Sequence, residues 1–118
     1  MSLGPVMLDL EGPDLLPEEV ELLKHPAVGG VILFSRNYAD DPERLAQLCQ
    51  QIHAARKTKL LSAVDHEGGR VQRFRVGFSE VPPMAAIGEV WQDDPQRART
   101  LAEQAGWVLA SELRSYGV

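Results

Sequence analysis

Residues 65–73 read DHEGGRVQR, which puts two carboxylates, an imidazole, two glycines and two guanidinium groups into nine positions. An ionised carboxylate accepts hydrogen bonds from hydroxyl groups, and an arginine donates to oxygens in a planar fork. Asp65 and Arg73, with Arg70 between them, therefore suit a polyhydroxylated ligand such as a sugar better than an apolar one. Gly68-Gly69 permits a sharp turn with positive φ and lets backbone approach a ligand closely. An ion pair between Asp65 and an arginine that only pins the loop satisfies the same spacing. Glu67 is expected to fix the loop, by holding an arginine or backbone amides, rather than to act as an acid. His66, flanked by acids, is open to general-base or metal chemistry. Side chains adjacent in an extended segment diverge, however, and the sequence favours a non-catalytic His66.

The elements that must position these groups are short. Apolar runs at 5–10, 30–34 and 60–64 are nearly continuous, which predicts strands covered on both faces, as in a parallel sheet. Leu16, Val20 and Leu23 have helical spacing behind Pro17, with Glu18 and Glu19 in the first turn, and His25-Pro26 closes that helix. Asp41-Pro42 opens a second helix with Leu45, Leu48, Cys49 and Ile52 as its buried stripe. Asp94-Pro95 opens a third, with the stripe Ala98, Leu101, Ala102, Ala105 and Leu109, ending at Gly117 in the position glycine favours after a helix. Between the third strand and this helix, residues 65–93 read as a long functional loop with a turn and a short helix near "VPPMAAIG".

The order β-α-β-α-β-loop-α predicts an α/β fold of βα units with a parallel sheet. Such folds gather their chemistry at the carboxyl ends of the strands, and Asp65 is the first residue past the third. Arg36 and Asn37 end the second strand and are expected to buttress the neighbouring loop. Asp9 and Glu11 end the first in the same way. The loop lacks both the G-x-G-x-x-G pattern and the P-loop lysine, which argues against a phosphate cradle.

A net charge of −5 over 118 residues, with scattered cations, excludes a phosphate-neutralising surface, so no nucleic-acid partner is expected. The dense "RKTK" at 56–59 reads as a solvated helix end. No apolar run approaches the roughly 18–20 residues of a membrane span, and the first residues lack the features of a signal peptide. Residues 1–3 read as an appended scar. Cys49 is the one cysteine, which excludes an internal disulfide and a cysteine metal cluster. It fits a buried thiol in a reducing, cytoplasmic setting. His25 and His53 read as structural, and no metal-ligand spacing is present.

"GPVMLDLEG", "HPAVGGVILFSRNY", "AVDHEGGRVQRF", "GFSEVPPM" and "AGWVLASELRSYGV" follow one another along the chain. In that order they resemble the N-terminal part of bacterial β-N-acetylhexosaminidases of glycoside hydrolase family 3, the cytoplasmic enzymes of peptidoglycan recycling. The resemblance implies that residues 1–118 are the first three βα units of one truncated (β/α)8 TIM-like barrel domain, a fold of about 250 residues. It implies a retaining exo-hydrolase that removes terminal β-linked N-acetylglucosamine from 1,6-anhydro muropeptides, without cofactor or metal; the sequence does not fix the oligomeric state, and a monomer is the favoured expectation. On the family pattern Asp65 and Arg73 are substrate-binding. The nucleophilic aspartate and the histidine acid/base lie beyond residue 118, so this stretch by itself should be inactive. A family-3 β-glucosidase, a broader hexosaminidase and a non-catalytic sugar-binding module are the alternatives.

Overall fold

Three strands lie side by side in chain order and parallel: β1 (Val6–Leu8), β2 (Val28–Leu33) and β3 (Leu61–Val64). The computed structural model describes residues 3–118, so the reading of residues 1–3 falls largely outside it. β2 pairs with β3 in an unbroken register from Gly30↔Leu61 to Leu33↔Val64, and with β1 through an irregularity between Val6 and Met7. The crossovers are α1 (Pro17–Lys24) and α3 (Pro42–Ala54). Each starts where expected, with proline in its first turn. The Asp41 side chain caps α3 by accepting from the Glu43 and Arg44 amides at 3.0 and 3.3 Å. Glu19 reaches back from α1 to accept from the Leu16 and Glu11 amides at 2.9 and 2.8 Å.

The stripe expected on α3 is the one that is buried: Leu45, Leu48, Cys49 and Ile52. Together with Leu23 of α1 and Val31 and Leu33 of β2 it forms the centre of the core. Coverage on both faces holds for β2 alone. Met7, Gly30 and Leu61 form one row across the sheet, and Met7 and Leu61 are 46% and 58% exposed. The physical reason lies in the connections. Two crossovers running the same way lay their helices on one face of the sheet, and the other face receives no layer from them.

Residues 65–93 are more ordered than a loop. A small antiparallel hairpin, β4 (His66–Gly68) and β5 (Val71–Gln72), turns on Gly69-Arg70, and a ten-residue helix α4 (Met84–Asp93) precedes α5 (Pro95–Ser115). Strands of two and three residues are too short to show alternation, which is why the hairpin escaped the sequence reading. A four-residue helix, α2 (Ser35–Tyr38), likewise replaces the expected simple strand end.

Of the stripe expected on α5 only Ala98 is buried. Leu101, Ala105 and Leu109 are half-buried, and Ala102 is exposed. Ala98, Leu101, Ala102 and Ala105 turn towards α4 rather than the sheet. An apolar groove of about 370 Å³ remains between α4, α5 and residues 79–82. The helix end is as expected. Gly117 has φ +94°, its amide donates to the Arg114 carbonyl, and the Val118 amide donates to the Leu113 carbonyl. That pair of bonds is the Schellman closure, and Val118 and Leu113 both pack on the core. The positive φ favours glycine at 117, and a Cβ there would also stand tightly, 3.0 Å from Cys49 Cβ.

Candidate functional site

The carboxyl ends of the strands bring Asp9, the Phe34–Tyr38 turn and Asp65 to one rim, and the hairpin folds Arg73 back onto it. Arg73 Nη2 lies 3.7 Å from Asp65 Oδ2. This is an ion pair outside hydrogen-bond distance, with both side chains part-exposed at 33% and 48%. Arg73 Nε is buried without a partner among the described residues. The two residues expected to bind a sugar are therefore adjacent, oppositely charged and short of hydrogen-bond partners.

The Arg73 guanidinium carbon stands 5.7 Å from the centre of the Phe34 ring, and that of Arg36 stands 4.8 Å from the same ring. Both distances are within cation–π range. Ser35 Oγ donates to the Arg73 carbonyl at 3.1 Å and so ties the hairpin to α2. The sequence read Phe34 as the last apolar residue of a strand, and nothing in its neighbours signalled a shared ring.

Arg36 and Asn37 buttress, as expected. Arg36 donates to the Leu10 carbonyl at 2.9 Å and to Asp9 Oδ2 at 2.5 Å. Asn37, fully buried, accepts from the Phe34 amide at 2.8 Å and donates to the Leu10 and Gly12 carbonyls at 3.1 and 2.7 Å. Asp9 is occupied by Arg36. Glu11 contributes its backbone amide to Glu19.

The hairpin is held from inside by a residue that the sequence reading passed over. Buried Gln72 donates to the Phe74 and Ser79 carbonyls and accepts from the Val81 amide at 3.0 Å. Glu112 of α5 accepts from both the amide and the hydroxyl of Ser79. Both sit beside other polar residues, Gln72 next to Arg73 and Glu112 next to Ser111, so no local pattern sets them apart.

The glycine pair serves a different approach from the expected one. Gly68 and Gly69 have φ +84° and +58°, and a Cβ on Gly68 would lie 2.5 Å from the Pro82 carbonyl oxygen. The Gly69 amide donates to the Val81 carbonyl at 2.7 Å. The close approach is made by the chain's own residues 81–83, and no anion cradle is available there. Glu67 is exposed, and its carboxylate holds neither arginine nor amide among the described residues, contrary to expectation. Arg75 fills the bracing role instead, donating to the Gly69 carbonyl at 2.6 Å. Arg70 is exposed at the tip of the turn.

His66 points inward. It is buried against Phe74 and Phe78, ring centres 5.7 and 5.5 Å away, and both ring nitrogens lack partners among the described residues. Burial pushes its pKa below the usual histidine value. Glu112 opposes that shift and Arg75 adds to it. A neutral imidazole facing the core cannot reach the rim chemistry. His25 Nδ1 accepts from the Ala27 amide, and His53 Nε2 lies 2.9 Å from the Gly117 carbonyl, both structural contacts. Cys49 is buried and its thiol pKa is pushed up to about 11 by desolvation, which keeps it unreactive. Among the described residues no three His, Cys, Asp or Glu side chains converge as metal ligands.

The family model for the glycosyl hydrolase family 3 N-terminal domain matches residues 7–118. The β-hexosaminidase of Thiobacillus denitrificans is 58% identical over 118 residues, all of this chain and 33% of that protein. That of Methylobacillus flagellatus is 54% identical over 118 residues, again all of this chain and 34% of the relative. NagZ from Neisseria gonorrhoeae, solved in complex with N-trifluoroacetyl-D-glucosamine, superposes with a TM-score of 0.95 at 46% identity, over 100% of this chain and 35% of that one. The chain spans about a third of the length of the curated relatives it matches. The three βα units are those of an N-terminal TIM-barrel part, and the barrel is not closed by them.

Proposed function

The chain belongs to glycosyl hydrolase family 3, and from that premise we propose that it forms the sugar-binding front of a β-N-acetylhexosaminidase. In this reading residues 1–118 are part of a single barrel domain of a full-length enzyme. That enzyme acts by retention on terminal β-linked N-acetylglucosamine. The observation that carries the reading is the Asp65–Arg73 pair, 3.7 Å apart at the carboxyl ends of the strands and unspent in hydrogen bonds. Asp65 accepts from sugar hydroxyls, and Arg73 donates to a hydroxyl or ring substituent oxygen, with its charge offset by Asp65. Charge-assisted bonds of this kind fix the sugar's orientation relative to groups supplied elsewhere. A carboxylate nucleophile and a histidine acid/base from other segments of the full-length protein complete the two-step displacement, where most glycosidases use a second carboxylate. The similarity to NagZ solved with a glucosamine derivative supports the N-acetyl sugar. We further assign the substrate to 1,6-anhydro muropeptides, hydrolysed in the cytoplasm by a monomer during cell-wall recycling.

The deciding experiment compares hydrolysis of a chromogenic β-N-acetylglucosaminide with that of the matching β-glucoside by the full-length protein. A strong preference for the acetamido sugar is expected. Equal rates, or preference for glucose, would move the enzyme to the glucosidase branch while keeping the barrel.

A further inference from the structure

Arg36 and Arg73 share one aromatic ring and are held in opposite ways. Arg36 has two of its donors committed, to Leu10 and Asp9. Arg73 donates no hydrogen bond from its side chain among the described residues. Its nearest carboxylate stands 3.7 Å away, and its buried Nε has no partner. What orients it is the face of Phe34 at 5.7 Å, together with the Ser35 hydroxyl on its backbone carbonyl. An arginine stacked on a ring is restrained in plane and position without consuming a single N–H. Along the rim, Asp9, Arg36, Phe34, Arg73 and Asp65 alternate as carboxylate, cation, ring, cation and carboxylate. The Asp9–Arg36 arm is locked to the backbone between β1 and α1, so it holds the ring from one side while Arg73 lies on the ring as well.

We propose that Phe34 is a positioning residue for sugar binding: its ring holds the Arg73 guanidinium towards the pocket with its terminal Nη donors free for the substrate. The proposal rests on the reading of Arg73 as a sugar contact. Phe34 faces the Arg73 guanidinium within cation–π range and acts through it. Its ring is required for its planar, electron-rich face and not for its volume alone, so an aliphatic side chain of similar size loosens Arg73 and leaves the strand end folded.

The test is a double-mutant cycle in the full-length enzyme, with kcat and KM measured on a chromogenic β-N-acetylglucosaminide. Phe34→Leu is expected to raise KM about two- to five-fold with little change in kcat, the size of one exposed cation–π contact converted to affinity. Phe34→Tyr, which keeps the ring, is expected to restore the wild-type KM. In an Arg73→Ala background the Phe34→Leu effect is expected to vanish. Phe34→Met serves in place of Phe34→Leu if the latter does not fold. A drop in kcat/KM for Arg73→Ala with no change for Phe34→Leu, or a Phe34→Leu effect that persists at full size without Arg73, would overturn the positioning role. No effect of Arg73→Ala would instead overturn the reading of Arg73 as a sugar contact, and the positioning role with it.

Discussion

The turn after β2 and the hairpin after β3 stand side by side on the rim, and their polar groups are spent differently. At the first, Asn37 makes three hydrogen bonds in full burial and Arg36 makes two. At the second, Asp65 and Arg73 face each other across 3.7 Å, part-exposed. A polar group whose bonds all close on its own chain is structural. One that is positioned by packing and left with open valences can act on something else. The difference between a buttress and a binding residue thus lies in hydrogen-bond accounting more than in residue type, since each side of the rim pairs an arginine with an aspartate, Arg36 with Asp9 and Arg73 with Asp65.

The sharpest way to break this contrast is to remove each partner and ask which property falls. Asn37→Ala leaves the Phe34 amide and the Gly12 carbonyl without their partner, while the Leu10 carbonyl keeps the bond from Arg36. It is expected to cost about 3 kcal/mol of stability, since each buried group left unpaired costs roughly 1–3 kcal/mol. The measurement is denaturant unfolding of the full-length protein. A change below about 1 kcal/mol would show that the turn does not depend on this amide. Asp65→Ala should give the reverse profile. Stability should move by less than about 1 kcal/mol, as for an exposed ion pair. Catalytic efficiency should fall roughly 10- to 200-fold, the worth of one hydrogen bond to a charged group at 1.5–3 kcal/mol. An Asp65→Ala enzyme with wild-type kcat/KM would place it with the buttresses.

His66 sharpens the comparison from beneath the hairpin. Its folded pKa lies below the ordinary 6.5 because burial disfavours the charged ring. The unfolded chain therefore takes up the proton first as pH falls. Stability is fully present above about pH 6.5 and declines below it, until the folded form also protonates. The acid limb of a stability–pH curve should be shallower in His66→Gln than in the wild type, while the alkaline side stays unchanged. Identical acid limbs would mean that the ring is not the titrating group. The smallest effect concerns Cys49, with its thiol raised to about 11. In native protein at pH 8 it should resist iodoacetamide, and it should label within minutes once the chain is unfolded.

Much of this was legible in the sequence, for physical reasons that differ by element. The helices announced themselves because Asp-Pro pairs at 41–42 and 94–95 combine a capping acid with a ring that suits the first turn. The α3 stripe was readable because one helix face meets one core. The α5 stripe was not, because Leu101 and Ala105 answer to Ile87 and Val90 of α4, a helix that buries none of its own residues. The pairing of Asp65 with Arg73 was visible only as a possibility of spacing. What converts it into geometry is the hairpin, whose two- and three-residue strands leave no periodic trace. The ring shared by Arg36 and Arg73 joins positions 34, 36 and 73, and no local pattern reports a contact across so many residues. The divergence of adjacent side chains was legible at 65–66, where the structure turns His66 inward and leaves Asp65 part-exposed on the rim.

Ser79 is fastened by Glu112, 33 residues further along the chain. A chain made from its amino end exposes the hairpin well before that carboxylate exists, at a pace of about 5–20 residues per second. During synthesis the segment bearing Asp65 and Arg73 therefore waits a second or more for the helix that fastens it. The pocket wall is finished late, and from behind.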